Sequence, residues 1–198
     1  SPFASWCIEN HIKKEDNIFE IGCGNGRDTF SFLANGNKVF AIDGCDVAIL
    51  DNNNHLESLE YKDNVIFKAL DFTNLDSLLG SHQEAIQNTT IFYSRFVLHA
   101  VPESLENIIL EFAYSNLPVG GMMMHEFRTK KDPLSKKGIS LGDNAMITDH
   151  YRRFIDADKF RSKVKKMGFE ELYFIESDGL AIFGEDNPVV ARIVAVKA

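Results

Sequence analysis

The sequence predicts an α/β fold in which a mostly parallel sheet of seven strands has helices on both faces. Three observations support this prediction. Short apolar runs alternate with segments of helical periodicity, which is typical of parallel strands joined by helical crossovers. One of the intervening segments has a clear amphipathic helical pattern. The last two strand-like segments have no helix between them, so they should pair antiparallel, with the last strand reversed.

Five parallel strands are predicted from short apolar runs with sharply bounded ends, as in strands buried on both faces. These runs are Ile18–Ile21, Val39–Ile42, Val65–Leu70, Ile91–Tyr93 and Met122–Phe127. The clearest helix is predicted over Pro102–Leu117, where apolar residues recur at helical spacing. Leu172–Ile175 and Val189–Val196 form the C-terminal pair of strands, and a segment containing Gly and Pro joins them as a loop.

A long segment after the fifth strand has neither strand nor helix periodicity. It runs from Thr129 to Asp149 and contains Pro133, Gly138 and Gly142. Loops of about 20 residues are uncommon in compact domains and usually form lids or binding loops. This one follows the C-terminal end of a parallel strand, where open α/β sheets bind ligands. We therefore predict that residues 129–153, called the insertion below, form a lid or acceptor-binding segment within one domain spanning residues 1–198.

Composition and charge exclude several classes of protein. Hydrophobic residues make up 44% of the chain, which is too high a fraction for a disordered protein. The net charge of −8 disfavours duplex nucleic acid and anionic membranes as partners, and no apolar run is long enough to cross a bilayer. The three cysteines lack metal-type spacing and indicate neither a disulfide framework nor a zinc site. We expect a soluble, cytoplasmic protein without a metal.

A glycine-rich turn follows the first strand. Glu20 is followed by Gly22, Gly24 and Gly26, and a helical segment then begins. Glycine allows a sharp turn and a close approach of the backbone to a ligand, while a helix N-terminus offers free N–H groups. The dinucleotide fingerprint would need a further glycine at position 27, which is Arg27. The turn therefore indicates a ligand-binding edge that is not of the dinucleotide type.

Acidic residues follow the next two strands. Asp43, with Gly44 after it, can accept hydrogen bonds from both hydroxyls of a ribose. Asp71 can accept a hydrogen bond from an exocyclic amine beside the aromatic face of Phe72. With the glycine-rich turn, these residues resemble class I S-adenosylmethionine-dependent methyltransferases, a Rossmann-like family, over essentially the whole chain. The resemblance implies S-adenosyl-L-methionine as cofactor and S-adenosyl-L-homocysteine as product.

The resemblance also implies roles for individual residues. Glu20 and the glycine-rich turn would hold the methionyl end of the cofactor, Asp43 the ribose, and Asp71 the adenine. The end of the fourth strand would face the methyl group. The predicted cofactor-binding residues are Glu20, Gly22, Cys23, Gly24, Arg27, Asp43, Gly44, Asp71, Phe72, Ser94 and Arg95. Two have structural alternatives: Cys23 as a small turn residue, and Arg27 as an ion-pair partner of Glu20.

Methyl transfer from a sulfonium is an in-line displacement, so the protein mainly aligns the acceptor with the methyl group. A hydroxyl or ammonium acceptor must also lose a proton, and histidine suits that role near neutral pH. The candidate catalytic bases are His99, His150 and Glu126. For His99 the alternative is a buried structural histidine. The remaining histidines are expected to be structural; they are His11, His55, His82 and His125.

Positive charge is concentrated after the fifth strand. Residues 128–168 contain 12 Lys and Arg against 5 Asp, a net charge of +7 that leaves −15 for the rest of the chain. Because arginine binds phosphate and carboxylate as a planar fork, we predict a small anionic acceptor, methylated at oxygen or nitrogen. Phosphorylated, phosphoramidate and sugar-nucleotide molecules belong to this class. The predicted acceptor-binding residues are Arg128, His150, Tyr151, Arg152 and Arg153, with Arg95 beside them.

Alternatives remain for the acceptor site and for the function. Arg152 and Arg153 could instead pair with Asp149 and Asp156 and fix the insertion. Four short motifs resemble methyltransferases of bacterial capsule and surface-polysaccharide modification systems; they are Tyr93–His99, Glu126–Leu134, Asp149–Phe154 and Glu176–Ala181. An RNA or tRNA methyltransferase is disfavoured by the acidic charge and by the lack of an Asn/Asp-Pro-Pro-Tyr motif after strand four. The other alternative to a small-molecule methyltransferase is a nucleotide-binding module that does not catalyse a reaction.

Overall fold

A seven-stranded sheet forms the centre of the molecule. The computed structural model describes residues 1–57 and 59–198. Within them the strands are β1 Asn17–Ile21, β2 Lys38–Asp43, β3 Val65–Ala69, β4 Ile91–Arg95, β5 Met122–Arg128, β6 Ile139–Gly142, β7 Ala145–Ile147, β8 Tyr151–Arg153, β9 Phe169–Ser177 and β10 Val190–Lys197. The helices are α1 Pro2–Asn10, α2 Arg27–Asn35, α3 Asp46–Leu56, α4 Leu78–Ser81, α5 Gln83–Gln87, α6 Glu103–Asn116 and α7 Ala157–Lys166.

The large sheet has the strand order β3-β2-β1-β4-β5-β10-β9. Strands β1 to β5 are parallel to one another, whereas β10 runs antiparallel to both β5 and β9. The predicted fold, with seven strands and the last one reversed, is confirmed. The C-terminal ends of β1 to β5 meet at one edge of the sheet, called the C-terminal edge below, which is where ligands bind in such folds.

Helices cover both faces of this sheet. Side chains alternate between the faces, so on β4 Tyr93 packs in the core beneath α1 to α3, and Phe92 in the core beneath α4 to α7. Because both faces are buried, the strands are apolar along most of their length, and continuous apolar runs predict them. None of the helices in residues 1–57 and 59–198 has the length and apolar character needed to cross a bilayer.

The insertion differs from the prediction. Its second half is not an irregular loop but a three-stranded antiparallel sheet in the order β6-β7-β8. The prediction was wrong here because the strand is only four residues long and all four are exposed, so it has no buried apolar face. The turn between β6 and β7 was the available signal: Asp143 and Asn144 both have positive φ, 47° and 61°, as a two-residue hairpin turn requires.

Candidate cofactor and acceptor site

The glycine-rich turn leaves β1 at the C-terminal edge in a conformation that only glycine adopts easily. Gly22, Gly24 and Gly26 have φ values of 74°, 51° and 72°. A Cβ on Gly22 would lie 2.2 Å from Cγ2 of Val97, so the turn packs directly against the loop after β4. A Cβ on Gly24 would meet no atom within 4 Å. The turn is therefore tightly packed at Gly22 and open to a ligand at Gly24.

Asp43, at the end of β2, fixes the open part of this turn. Its Oδ2 accepts a 2.7 Å hydrogen bond from the backbone N–H of Gly24, and its Oδ1 accepts one of 2.9 Å from Cys45. Each oxygen retains acceptor capacity, because a carboxylate oxygen accepts more than one hydrogen bond. Gly44 is exposed, and a Cβ there would also meet no atom within 4 Å. Asp43 therefore keeps the acceptor capacity that the predicted ribose contact requires.

Glu20 lies beneath the turn and is only 3% exposed. The Thr29 hydroxyl donates a 2.5 Å hydrogen bond to its Oε2. Burial raises the pKa of Glu20 to about 8. The carboxyl group is therefore largely protonated at neutral pH, and a cation brought to it would favour ionisation.

Asp71 and Phe72 follow β3 at the same edge. Asp71 is exposed, and its Oδ1 accepts hydrogen bonds of 2.8 Å from both the backbone and the hydroxyl of Thr73, which lower its pKa. Phe72 is partly buried and packs against the core beneath α4 to α7. The carboxylate of Asp71 therefore stays ionised beside an anchored aromatic ring, as the predicted adenine site requires.

Cys23 and Arg27 contribute less to this edge. Cys23 is buried, and burial raises the pKa of its thiol, so it stays neutral and packs as a small turn residue. Arg27 is half-exposed, and its Nε lies 3.9 Å from Oδ1 of Asp28 rather than beside Glu20. Arg27 therefore does not form the alternative ion pair with Glu20, and Cys23 is not a reactive thiol.

Ser94 and Arg95, the last two residues of β4, point to opposite faces of the sheet. Ser94 has no exposed surface, and its Oγ lies 2.8 Å from Nδ1 of His125. This leaves only the main chain of Ser94 for the predicted cofactor contact. Burial lowers the pKa of His125 to about 3, and its buried Nε2 has no hydrogen-bond partner in the described part of the chain.

Glu126, on β5, is held between two guanidinium groups. Its Oε1 accepts a 2.8 Å hydrogen bond from Nε of Arg95, and its Oε2 accepts one of 2.6 Å from Nε of Arg192. It has no exposed surface. Both oxygens already bind donors, so the geometry does not favour the predicted role of Glu126 as a base. Sequence reasoning missed Arg192, although a charged residue inside the apolar last strand was a visible signal.

His99 lies in the loop after β4 and is 4% exposed. Its Nδ1 accepts a 3.2 Å hydrogen bond from the backbone N–H of Arg128, so the neutral ring carries its proton on Nε2. Burial lowers the pKa of His99 to about 3, and three neighbouring arginines act in the same direction; they are Arg128, Arg152 and Arg153. In this state His99 is a hydrogen-bond donor at Nε2 and not a base.

His150 is the predicted base with the most favourable geometry. It is exposed, and its Nδ1 lies 2.9 Å from Oδ2 of Asp149. A carboxylate at Nδ1 orients the ring and leaves Nε2 to accept a proton. Tyr151, the next residue, is partly buried.

The arginines predicted to bind the acceptor are engaged by acidic residues of the protein. Arg128 donates to Asp132 at 2.9 Å and also to Asp186. Arg152 pairs with Asp149 at 2.5 Å, as the structural alternative predicted.

Arg153 differs from that alternative. Its partner is the buried Glu106 of α6, whereas Asp156 pairs with Lys130 at 3.1 Å. Arg153 also donates to the carbonyls of Leu98 and Val101. Glu106 was missed by sequence reasoning, since it lies 47 residues from Arg153.

Comparison with known proteins identifies the family. Residues 12–152 match the family model described as a methyltransferase domain. The chain belongs to that family. The predicted enzyme class, a methyltransferase, and the predicted cofactor, S-adenosylmethionine, are thereby confirmed. In residues 1–57 and 59–198 of this methyltransferase, no group of three or more His, Cys, Asp or Glu could hold a metal ion.

Individual relatives are distant. A carboxy-S-adenosyl-L-methionine synthase from Pseudoalteromonas translucida (strain TAC 125) is 24% identical over 149 residues, which cover 71% of this methyltransferase and 54% of that protein. The chain thus spans about half the length of the curated relative it matches.

Two solved structures share the fold at lower identity. A SAM-dependent methyltransferase from Methanosarcina mazei superposes with a TM-score of 0.73 at 16% identity, covering 96% of both chains. The glycopeptide N-methyltransferase MtfA, complexed with (S)-adenosyl-L-methionine, superposes with a TM-score of 0.72 at 14% identity, covering 98% of this chain and 92% of that one. At such identities the likeness extends to the fold alone.

Proposed function

We propose that this methyltransferase transfers the methyl group of S-adenosylmethionine to an oxygen or nitrogen atom of a small acceptor at the C-terminal edge. The observation that carries the proposal is the cradle formed by the open turn at Gly24, the carboxylate of Asp43 and the buried Glu20. Each part suits one part of the cofactor: space for a closely approaching ligand, acceptors for ribose hydroxyls, and a carboxyl group for the ammonium.

The chain's residues act mainly by orientation. When bound, S-adenosylmethionine supplies a methyl group activated by the sulfonium. Asp43 and Asp71 would hold the ribose and the adenine, and so fix the position from which the methyl group is transferred. Alignment of this kind converts a bimolecular step into an effectively unimolecular one. His150, oriented by Asp149, would remove the proton from an acceptor that is not already ionised.

The acceptor proposed here is small and anionic. Three arginines, Arg128, Arg152 and Arg153, lie close enough to His99 to lower its pKa, which brings guanidinium groups to this part of the edge. A phosphorylated, phosphoramidate or sugar-nucleotide acceptor has the matching charge. The resemblance of four sequence motifs to capsule and surface-polysaccharide systems supports a cytoplasmic role in the synthesis of such polymers.

The proposal is tested by calorimetric titration of the chain with S-adenosylmethionine, S-adenosylhomocysteine and NAD. We expect saturable binding of the first two and none of NAD, because Arg27 occupies the position of the fingerprint's last glycine. Transfer of a radiolabelled methyl group is then measured with anionic and neutral small molecules as acceptors. Absence of cofactor binding at millimolar concentration would overturn the proposal. Binding without transfer to any acceptor class would favour the non-catalytic module.

A further inference from the structure

Phe96 has an unusual backbone conformation for a large residue. It follows β4 directly and has a φ of 62°, in the left-handed region that side chains with a Cβ rarely adopt. Its N–H donates a 2.9 Å hydrogen bond to the carbonyl of Glu126, so the chain turns sharply out of the sheet there. Such strain is concentrated at functional sites. The turn holds the partly buried ring at the C-terminal edge.

Three nitrogen-bearing side chains surround this ring. The guanidinium carbon of Arg95 lies 4.4 Å from the ring centroid, and that of Arg128 lies 5.8 Å away. The His99 ring contacts it edge-on, with centroids 5.2 Å apart and an interplanar angle of 71°. A ligand group beside Phe96 would therefore meet hydrogen-bond donors and positive charge.

Arg95 has donors to offer. Glu126 binds only its Nε, and the two terminal nitrogens make no hydrogen bond with any residue in the described ranges. Glu126 also binds Arg192, so two guanidinium groups share this one carboxylate. The side chain is 16% exposed, which makes it a fixed and partly desolvated cation. Such a guanidinium is suited to bidentate binding of carboxylate or phosphate.

His99 offers a second donor. Arg128 occupies its Nδ1, so Nε2 carries the proton, and Nε2 makes no hydrogen bond within the described part of the chain. The main chain of His99 is also fixed, because the backbone N–H of Arg153 donates a 2.7 Å hydrogen bond to the His99 carbonyl. Arg152 and Arg153 differ from Arg95, because a terminal nitrogen of each binds a carboxylate, that of Asp149 and of Glu106 respectively.

We infer that the acceptor carries a carboxylate or phosphate group, and that this group binds beside Phe96 with the terminal nitrogens of Arg95 and the Nε2–H of His99 as donors. This inference rests on the proposed function, because it names the acceptor class and places its anionic group. It moves anion recognition from the Arg152–Arg153 pair to the end of β4, and it assigns the side chain of Arg95, which the resemblance placed in the cofactor site, to the acceptor instead. It also makes His99 a binding residue rather than a base.

The experiment uses benzoate and phenyl phosphate as probes, with benzyl alcohol as the neutral molecule of similar ring size. Each is titrated calorimetrically into the chain saturated with S-adenosylhomocysteine, so that the cofactor's own carboxylate cannot account for the result. We expect saturable binding of both anions, at least about tenfold tighter than binding of benzyl alcohol. Binding of benzoate but not phenyl phosphate, or the reverse, identifies which anion the site takes.

Two arginine variants make a matched pair. Arg95→Gln should weaken anion binding at least about tenfold, while the affinity for S-adenosylhomocysteine stays within about threefold. Arg161→Gln is the control. Arg161 also binds a carboxylate, Glu171, at 2.6 Å and also lies over an aromatic ring, that of Phe174 at 4.2 Å, but it belongs to α7 and not to the site. It should leave both affinities unchanged.

Nuclear magnetic resonance of the unaltered chain provides a readout that does not depend on the folding of a variant. Benzoate should shift the side-chain signals of Arg95 and His99. Anion binding no tighter than that of benzyl alcohol, or unchanged in Arg95→Gln, overturns the inference. A large loss of cofactor affinity in Arg95→Gln also overturns it, because Arg95 would then hold the cofactor. Failure to bind S-adenosylhomocysteine at all refutes the proposed function instead.

Discussion

The backbone N–H of Gly24 donates a 2.7 Å hydrogen bond to Oδ2 of Asp43, so the turn after β1 is fixed by the acid that ends β2. Asp43→Asn would place an amide N–H against the N–H of either Gly24 or Cys45. Leaving one of these donors unsatisfied costs about 1–3 kcal/mol, and the affinity for S-adenosylhomocysteine should fall by about tenfold or more. Calorimetry measures the change, with the exposed Asp46→Asn on α3 as the control. Equal affinities in the two variants would contradict this role.

Gly22→Ala should mainly reduce the stability of the fold, whereas Gly24→Ala should mainly reduce the affinity for the cofactor. The Cβ at position 22 would lie 2.2 Å from Cγ2 of Val97, so we expect a loss of about 2–4 kcal/mol in the free energy of unfolding. The Cβ at position 24 meets no atom within 4 Å, so the free energy of unfolding should fall by only about 1–2 kcal/mol. The affinity for the cofactor should fall more in Gly24→Ala than in Gly22→Ala, because the added methyl group would occupy the space open to the ligand. Urea unfolding and calorimetry separate the effects, and Val97→Ala should partly rescue Gly22→Ala.

The stability of the fold should decrease as the pH falls below 6.5. Burial lowers the pKa of both His99 and His125 from 6.5 to about 3, so the unfolded chain binds protons that the folded chain does not. The associated stability is complete above pH 6.5 and is lost at about 1.4 kcal/mol per histidine for each pH unit below it. Glu20 contributes with the opposite sign, because burial raises its pKa to about 8 and the folded chain holds a proton there that the unfolded chain lacks below that pH. The net slope between pH 6.5 and pH 5 should therefore be that of one histidine, and urea unfolding between pH 8 and pH 5 measures it.

The double variant Ser94→Ala/His125→Leu tests the contribution of the second histidine. It removes both partners of a buried hydrogen bond, together with the unpaired Nε2, so it should be neutral or stabilising at pH 7. The slope of the free energy of unfolding against pH should change by the equivalent of one proton, because one buried histidine has been removed. His125→Leu alone should be less stable than the double variant, because it leaves the Ser94 hydroxyl buried without a partner. An unchanged slope in the double variant would disprove the assignment.

Cofactor binding at neutral pH should release a proton from Glu20. Burial raises the pKa of this carboxyl group to about 8, so it is mostly protonated at pH 7 in the empty site. An ammonium group bound beside it favours the ionised form. Titrations in phosphate and in Tris, whose ionisation enthalpies differ, should therefore give different apparent binding enthalpies. Glu20→Gln should abolish the difference, and equal enthalpies for the unaltered chain would refute the prediction.

Arg152 and Arg153 should differ in their importance for stability. Arg153→Ala leaves Glu106 buried with Lys163 as its remaining cation, and breaking a buried pair costs about 3–5 kcal/mol. Arg152→Ala should have little effect, because its partner Asp149 is exposed. Thermal unfolding of the two variants makes the comparison. Similar losses would mean that the insertion is held by contacts other than the Arg153–Glu106 pair.

The parts of the fold that the sequence predicts are those in which burial repeats along the chain. The parallel strands and α6 are buried at regular intervals, so their apolar patterns were sufficient. Strand β6 is exposed throughout, and only the Asp143–Asn144 turn marked its hairpin. A strand whose residues are all exposed has no buried positions, so no apolar pattern in the sequence marks it.

The site was predictable to a similar extent. Glycines and acids at strand ends are local features, and the topology brings Gly24 and Asp43 together. The ion-pair partners are not local: Asp186 is 58 residues from Arg128. The tautomer of His99 depends on one backbone N–H from another strand. The charge counted along the sequence therefore indicated a basic pocket. In the folded chain, acidic side chains that are distant in the sequence neutralise most of that positive charge.

The reversal of β10 determines which part of the chain is free to vary. A parallel last strand would need a crossover of a dozen or more residues running back along the sheet. The antiparallel strand begins where β9 ends, with Val190 opposite Ser177 and Arg128, so residues 178–189 stay at the C-terminal edge. Relatives could lengthen or shorten this connection without disturbing the sheet or the cradle. New acceptors could thus be acquired in evolution while the cofactor half stays the same.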